Sequence, residues 1–282
     1  MFDTDHPEIR GAIERALAED IGSGDITSQL TVPEDLDASG VFLAKEEMVL
    51  AGVEILPFVY QVCGGASVQI LRHSGEFLKP GDILAAVQGR ARTLLECERT
   101  ALNFLQRLSG IATLARRYVN AIAGTRAKIL DTRKTTPGLR ELEKRAVAAG
   151  GGTNHRRGLY DAVLIKNNHI TAAGGVTQAL KNASSFAGRI EIEVRTRAEL
   201  DQALAAGAKH LLLDNLSPAE AAEWIRYIAC RATVELSGGI ILDTVRAYAD
   251  AGPDFISCGA ITHSATAVDI SFRLELKPSH GA

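Results

Sequence analysis

The 282-residue sequence predicts an α/β barrel that falls short of a full set of units, preceded by a smaller domain of mixed helices and strands. The main observation is a series of six apolar, strand-like runs in the second half of the chain, with helical segments between them. Eight such units would close a standard barrel, so six predict an incomplete one, with a doubly wound open sheet as the alternative. The runs begin near Ala127, Ala162, Arg189, His210, Thr233 and Asp254.

The individual strands and helices of this region follow from local patterns. Leu211–Leu213 and Ala162–Ile165 are continuous apolar runs, as expected for parallel strands that are buried on both faces. The segment Ser217–Cys230 reads as a helix with Ser217 as its N-cap, a proline at the first helical position and a glutamate at the capping-box spacing. Thr196–Ala206 reads as the preceding helix of the series.

The first 90 or so residues differ, because short strand-like stretches replace the regular alternation. These stretches are separated by turns such as Lys79–Asp82, in which proline and glycine fix the backbone. A long helix from about Arg92 to Ala123 links the two parts and carries a polar stripe. The strands are Gly40–Ala44, Ser67–Leu71 and Ile83–Val87, and the stripe is Arg99, Asn103 and Gln106.

Composition excludes several classes of protein. A net charge of −3 argues against a nucleic-acid-binding protein, since such proteins are usually strongly basic. No apolar run approaches the length of a membrane span, and the first ten residues lack the features of a signal peptide. The four cysteines lie far apart, which predicts reduced thiols, no local zinc site and a cytoplasmic enzyme.

Polar residues, or glycines that allow a close approach of the backbone, lie at or just after the end of each predicted barrel strand. In an α/β barrel the carboxyl ends of the strands meet on one face, where active sites lie. The pattern therefore predicts a binding face built from all six ends. The residues are Asp131–Lys134, Lys166–His169, Glu191 and Glu193, Asp214–Asn215, Ser237–Gly239, and Gly259–Ala260.

The charge of this face predicts an anionic small molecule as ligand. Between Asp131 and His169 there are eight basic and four acidic side chains, a positive focus in an acidic protein. The run Gly150–Gly152 lies within this segment and could form a backbone anion nest, although a flexible loop is the commoner meaning of such a run.

Three carboxylates at neighbouring strand ends allow two interpretations. Glu191 and Glu193 alternate along one strand and point to the same side, and Asp214 ends the next strand. They could hold Mg²⁺ or ribose hydroxyls, or at least one could be ion-paired with the nearby basic residues.

Several long motifs resemble the quinolinate phosphoribosyltransferase family, in the same order and over nearly the whole chain. The central ones are DTRKTTPGLR (Asp131–Arg140) and the glycine-rich run through KNNH (Ala146–His169). The others are AEDIGSGDIT (Ala18–Thr27), ERTALNFLQRLSGIAT (Glu98–Thr113), ELSGGI (Glu235–Ile240) and ISCGAITHS (Ile256–Ser264).

The resemblance implies an N-terminal open α/β sandwich domain over residues 1–108, joined by residues 270–282, and an incomplete α/β barrel over residues 109–269. It implies transfer of the phosphoribosyl group of 5-phosphoribosyl-1-pyrophosphate to quinolinate, with loss of CO₂, to give nicotinate mononucleotide and pyrophosphate for NAD synthesis. It also implies Mg²⁺ as cofactor and a homodimer, or a multiple of dimers, with shared active sites.

The family's site residues carry over by motif. The resemblance assigns the binding of quinolinate to Arg133, His155 and Arg156, with Arg99 of the partner subunit assisting. It assigns the binding of the diphosphate to Lys134 and Lys166. Glu193 and Asp214 would hold the ribose or the metal, and the phosphate would lie at Ser237, Gly238, Gly239 and Gly259.

The sequence departs from the family pattern at Asn167 and Arg195, where acids are expected, and at Leu236, where a small residue is expected. The first two departures concern the metal environment. Alternatives to the quinolinate reaction are a related phosphoribosyltransferase-like barrel of molybdenum transport or one that uses nicotinate, and a non-catalytic anion-binding regulator. A dehydrogenase is disfavoured because no GxGxxG motif follows an early strand.

Overall fold

The structure is a computed structural model that describes residues 2–276 of the chain. It divides into two compact units. The first consists of the residues up to Arg116, the segment Thr135–Gly151 and the residues from Ser264 onward, and the second of Arg117–Lys134 and Gly152–His263.

The elements follow the predicted order. In the first half they are α1 (Pro7–Ile21), α2 (Ile26–Thr31), β1 (Asp37–Ala44), β2 (Met48–Val49), a 3₁₀ turn (Val53–Ile55), α3 (Leu56–Val62), β3 (Ser67–Ile70), β4 (Phe77–Leu78), β5 (Ile83–Arg90) and α4 (Ala91–Ala121). In the second half they are β6 (Lys128–Leu130), α5 (Arg140–Ala149), β7 (Val163–Ile165), α6 (Asn167–Ala173), α7 (Val176–Ala183), β8 (Ile190–Val194), α8 (Arg197–Ala205), β9 (His210–Asp214), α9 (Pro218–Ile228), β10 (Thr233–Ser237), α10 (Val245–Asp250), β11 (Phe255–Ser257), α11 (Ala260–His263) and β12 (Ile270–Leu276).

The first unit is built on an antiparallel sheet with the strand order β12-β1-β5-β3. Alternate residues of β1 are buried, because successive side chains of a strand point to opposite faces. Gly40 is required on this strand, since a Cβ there would lie 2.2 Å from the ring of Phe272 on β12. The last strand of the described chain thus completes the N-terminal sheet.

The polar stripe on α4 has two kinds of member. Gln106 donates from Nε2 to the backbone oxygen of Ile270 at 2.9 Å, which fixes the start of β12. Arg99 and Asn103 are exposed. Helix α4 is 31 residues long, yet none of the helices within residues 2–276 has the length and apolar content needed to cross a membrane.

The second unit contains a parallel sheet of six strands in the order β6-β11-β10-β9-β8-β7. From β7 to β11 the strands are neighbours in chain order, and the first strand, β6, lies beside the last. This circular order is that of a barrel, not of a doubly wound sheet, and the break between β6 and β7 makes the barrel incomplete. The predicted fold class is confirmed.

The helices of the barrel begin where the sequence predicts. Ser217 accepts a hydrogen bond from the backbone N–H of Glu220, and Glu220 in turn accepts from the Ser217 backbone, so the predicted capping box of α9 is present. Thr196 and Glu199 form the same arrangement at the start of α8.

Gly150, the first glycine of the run Gly150–Gly152, serves packing, and the anion nest stays a prediction. Gly150 follows α5, and a Cβ on it would lie 2.4 Å from the backbone oxygen of Ala112 and 2.6 Å from the side chain of Ala115 on α4. The missing side chain therefore lets the end of α5 approach α4 closely within the first unit.

The two compact units divide the chain differently from the predicted domain limits in three places, since residues 109–116, the α5 segment Thr135–Gly151 and residues 264–269 fall in the first unit. The boundary between residues 108 and 109 stays a prediction, since α4 crosses it without a break. Of the segment 270–282, Ile270–Leu276 forms β12 beside β1, and residues 277–282 lie outside the described residues.

Candidate active site

The second unit contains a cavity of about 740 Å³ at the carboxyl ends of its six strands. Its volume is in the range of small-molecule sites. Every strand end contributes to the lining, as the sequence predicts. Among the lining residues are Thr132–Lys134 after β6, Lys166–Asn168 after β7, Glu193 and Arg195 of β8 and its end, Asp214 and Asn215 at β9, Ser237–Ile241 at β10, and Ser257, Gly259 and Ala260 at β11.

Two arginines and a lysine form the basic side of the cavity. Arg133 and Lys134 follow β6, and the hydroxyl of Thr262 donates to the backbone oxygen of Lys134 at 2.7 Å. Arg156 donates from Nη1 to the backbone oxygen of Ala162 at 3.0 Å. Burial lowers the pKa of Arg156 below its ordinary value, and the neighbouring charge of Arg133 lowers it further. Cations held this close together suit a ligand with two negative charges.

The segment that carries His155 is fixed beside β6. Thr153 forms a parallel β-bridge with Leu130. The buried carboxylate of Asp131 then accepts hydrogen bonds from the backbone N–H of His155 at 2.8 Å and from the Asn154 amide at 2.7 Å. Asp131, which the sequence places at a strand end, therefore positions the loop that lines the cavity.

Hydrogen bonds define the tautomer of His155. Its Nδ1 accepts from the backbone N–H of Arg156 at 2.7 Å, so in the neutral ring the proton is on Nε2. Nε2 lies 3.3 Å from Glu191 and 3.5 Å from Glu235, which are both buried. Nη2 of Arg189 contacts the same two carboxylates, at 2.9 Å from Glu191 and 3.7 Å from Glu235.

The pKa values of the two buried glutamates are shifted in opposite directions. Burial, together with the negative charge of Glu191, raises the pKa of Glu235 to about 7. Burial acts on Glu191 too, but the hydrogen bond from His155 and the charge of Arg189 outweigh it and lower the pKa of that carboxyl. One buried carboxylate is thus balanced by Arg189, and the other holds its proton near neutral pH.

The acidic side of the cavity is a pair of carboxylates that share one cation. Nη2 of Arg195 lies 2.6 Å from Oε1 of Glu193 and 3.3 Å from Oδ2 of Asp214. Two carboxylates that converge on one cationic atom fit the donor set that Mg²⁺ uses when substrate phosphates supply its other ligands.

Glycines bring the backbone close to the cavity at two strand ends. Gly238 has a φ of 104°, and a Cβ on it would lie 2.3 Å from Oδ1 of Asn215. A Cβ on Gly259 would lie 2.9 Å from Cδ of Lys134 and 3.2 Å from the ring of His263. Any side chain at either position would therefore displace a residue of the lining.

Most of the predicted site residues meet in this cavity, and a few do not. Arg99 lies on α4 in the first unit and does not line it, and Glu191 is paired with Arg189 below it. The residues brought together are Arg133, Lys134, His155, Arg156, Lys166, Glu193, Asp214, Ser237, Gly238, Gly239 and Gly259.

Sequence reasoning missed three polar lining residues, Glu235, Ser257 and His263. Glu235 alternates with Ser237 along β10 as Glu191 does with Glu193 along β8, so the same period of two could have found it. His263 follows Gly259 by four residues in a helical segment, a weaker signal. Ser257 is the last residue of β11, two residues before the predicted strand end at Gly259.

The fold and the cavity together define an α/β barrel with a largely basic cavity at the carboxyl ends of its strands, and comparisons with known proteins specify the family. Two family models match, quinolinate phosphoribosyl transferase N-terminal domain over residues 25–109 and C-terminal domain over residues 111–273. The chain belongs to the quinolinate phosphoribosyl transferase family.

Individual relatives are similar over nearly their whole length. The nicotinate-nucleotide pyrophosphorylase (carboxylating) of Mycobacterium leprae is 41% identical over 283 residues, which cover 97% of this chain and 100% of the relative. The chloroplastic protein of that name from Arabidopsis thaliana is 39% identical, with 96% of this chain and 84% of the relative covered. The solved structure of NadC from Streptococcus pyogenes superposes with a TM-score of 0.93 at 38% identity and covers 99% of each chain.

Proposed function

We infer that this protein is a quinolinate phosphoribosyltransferase, which makes nicotinate mononucleotide, pyrophosphate and CO₂ from quinolinate and 5-phosphoribosyl-1-pyrophosphate for NAD synthesis. The observation that carries the inference is similarity over nearly the full length to proteins named for this reaction. The cavity supports it, because five basic side chains line it against three acidic ones, as two anionic substrates require.

The basic side suits quinolinate. We propose that Arg133 and Arg156 each take one carboxylate, since a guanidinium offers two parallel donors to a carboxylate. His155 contributes by fixing the backbone of Arg156 through its Nδ1. In the free protein the positive charges of Arg133 and Arg156 repel each other, and binding of the quinolinate dianion would offset this repulsion.

The ribosyl donor is assigned to the rest of the cavity. Lys134 and Lys166 would face the diphosphate, and the backbone from Ser237 to Gly239, with Gly259, would hold the 5-phosphate. As the bond from C1 of the ribose to the diphosphate breaks, negative charge grows on the leaving group and positive charge on the ring. Lysines that already face the diphosphate stabilise its growing negative charge without reorganisation of water.

We propose that Glu193 and Asp214, which converge on Arg195 in the free protein, face the ribose as its positive charge develops and hold its hydroxyls or Mg²⁺. When bound, the ion would neutralise part of the charge on the diphosphate. Once the ring nitrogen of quinolinate carries the ribose, the ring is a cationic electron sink. The bond from the ring to the 2-carboxylate can then break, CO₂ leaves, and the electron pair that remains on the ring carbon takes up a proton.

We further propose a homodimer, or a multiple of it, that works in the cytoplasm. The support for the dimer is Arg99, which is exposed on α4 and lies outside the cavity of its own second unit. In a two-fold dimer it would enter the partner's site and assist with quinolinate. The widely spaced, unpaired cysteines support a reducing compartment.

One coupled assay tests the reaction. The protein, quinolinate, 5-phosphoribosyl-1-pyrophosphate and Mg²⁺ should yield nicotinate mononucleotide and CO₂ in equal amounts. Turnover of nicotinate without CO₂ would indicate a nicotinate-using enzyme instead, and tight binding of quinolinate without turnover would indicate a regulator. The names of the relatives favour the carboxylating enzyme over these and over a molybdenum-transport protein.

A further inference from the structure

Arg195 occupies the point on which the two carboxylates of the cavity converge. It is the first residue after β8, so its side chain lies at the mouth of the barrel beside Glu193 of the same strand and Asp214 of the next one. Its backbone N–H donates to Glu199 at 2.8 Å, which holds the chain at this point. The guanidinium bridges the two acids at 2.6 and 3.3 Å.

Burial differs between the anions and their cation. The side chains of Glu193 and Asp214 are only 6% and 13% exposed, so two negative charges lie close together with little solvent to screen them. The side chain of Arg195 is 46% exposed. The buried carboxylates therefore need a cation beside them, whereas nearly half of the Arg195 side chain faces solvent.

We propose that Arg195 is the resident cation of the Glu193–Asp214 pair, so that the free protein binds no divalent ion there. With Arg195 in place the three groups carry a net charge of about −1. A divalent ion would have to displace the guanidinium and then remain near it. The second half of the proposal rests on the proposed function: Glu193 and Asp214 would hold an ion only with the diphosphate of the substrate present, when the guanidinium of Arg195 no longer lies between them.

The buried cluster of His155, Glu191 and Glu235 is the other group of possible metal ligands among the described residues, with ligand atoms within 4.8 Å of one another. It is a poor competitor for an ion. Nδ1 of its histidine accepts the backbone N–H of Arg156, so the neutral ring has its proton on Nε2, which faces the carboxylates, and Arg189 already balances the charge of Glu191. Binding by the free protein would thus report on the Glu193–Asp214 pair.

The test is the binding of Mn²⁺ alone to the free protein, measured from the electron paramagnetic resonance signal of unbound Mn²⁺ with no substrate present. Arg195→Gln removes the charge and keeps much of the length of the side chain. We expect this variant to bind one Mn²⁺ at least about tenfold more tightly than the unchanged protein, because the loss of one nearby positive charge favours the ion.

Three controls make the result specific. Arg197→Gln removes an arginine of similar exposure that is also paired with two acids but does not line the cavity, and it should leave Mn²⁺ binding unchanged. Arg195→Lys keeps the charge and should bind weakly, as the unchanged protein does. Adding Glu193→Gln to Arg195→Gln should abolish the new site, and circular dichroism should show each variant folded.

Tight Mn²⁺ binding by the unchanged protein would overturn the proposal, as would equal binding by Arg195→Gln and Arg195→Lys. Since no substrate is present, these outcomes do not depend on the assigned reaction. Failure of the coupled assay with Mn²⁺ binding as expected would reject the reaction and leave the role of Arg195 standing.

Discussion

At the scale of single residues, the proposed quinolinate contacts and the carboxylate pair of the cavity come from different strands. Arg133 and Lys134 follow β6, whereas Glu193 and Asp214 belong to β8 and β9 on the other side of the sheet order. Under the proposed function, each charged group would therefore face a different part of the two substrates. A substitution that preserves charge but changes shape can distinguish which substrate a given residue contacts.

Arg156→Lys is the sharpest substitution of this kind. Lysine keeps the charge but offers no fork of two donors, so the KM for quinolinate should rise by at least about tenfold, and the KM for 5-phosphoribosyl-1-pyrophosphate should change little. Steady-state kinetics with each substrate varied in turn measures the split. Arg157→Lys is the matched control, because Arg157 is the next residue and does not line the cavity. Equal rises in both KM values would contradict the assignment.

At the scale of secondary-structure elements, alternate side chains along the strands point into the barrel, and on β8 and β10 they form two polar layers. Glu193 and Ser237 line the cavity near the ends of β8 and β10. Two residues earlier on the same strands, Glu191 and Glu235 lie deeper and contact His155 from below. The lower layer positions a residue of the upper one, and it makes the stability of the barrel depend on pH.

Glu235→Gln should change that pH dependence. The pKa of Glu235 is about 7 in the folded protein, against a usual value of 4.5, so between these values the folded state binds more protons than the unfolded state. The free energy of unfolding of the unchanged protein should therefore fall as pH rises from 4.5 to 7, by up to about 1.4 kcal/mol per pH unit from this group. In Glu235→Gln this contribution is absent.

Urea denaturation at pH 5 and pH 7.5 measures the difference. Relative to the unchanged protein, Glu235→Gln should gain stability between the two pH values, and Glu223→Gln, an exposed glutamate on α9, should not. Parallel pH dependence of the unchanged protein and Glu235→Gln would show that Glu235 is not held protonated.

The β10 turn gives a second prediction at this scale. Gly238→Ala combines an unfavourable positive φ with a Cβ 2.3 Å from Asn215, whereas Gly207→Ala has a φ of 80° with no atom within 4 Å. Gly207→Ala should cost about 1–2 kcal/mol of unfolding free energy from the backbone alone. Gly238→Ala should cost clearly more and should also displace Asn215. Equal losses for the two variants would mean that the turn yields without strain.

At the scale of the whole molecule, the sequence predicted the barrel well because parallel strands and capped helices have strong local signals. The start of each strand from β6 to β11 lies within a residue or two of its apolar run, and the Ser217 capping box is as predicted. The packing role of Gly150 was missed because it depends on a contact with Ala112, far away in sequence. The pairing of Arg195 with Asp214 was missed because these two residues are also far apart in sequence.

The proposed sharing of sites between subunits gives the last prediction. Lys134→Ala should lose most of its turnover and keep its melting temperature within about 3 °C, because an exposed lysine packs little. Arg99→Ala should also be inactive if Arg99 serves the site of the partner. When the two variants are dissociated and reassociated together, half of the dimers are mixed and each has one site with no defect. About a quarter of the full activity should return.

A mass tag on one variant confirms that subunits exchanged. Lys181→Ala, a change to an exposed lysine on α7, is the matched control for Lys134→Ala and should keep full activity on its own. Exchange without any recovery of activity in the first mixture would end the idea of shared sites.

The break in the barrel has a consequence for aggregation. An open sheet edge presents unpaired backbone groups on which a foreign strand can build. Here the two border strands, β6 and β7, are only three residues each, and Thr153 already pairs with β6. A barrel that stops at six strands thus offers intruding chains too short a template to extend, so it can remain open for ligands without inviting fibril growth.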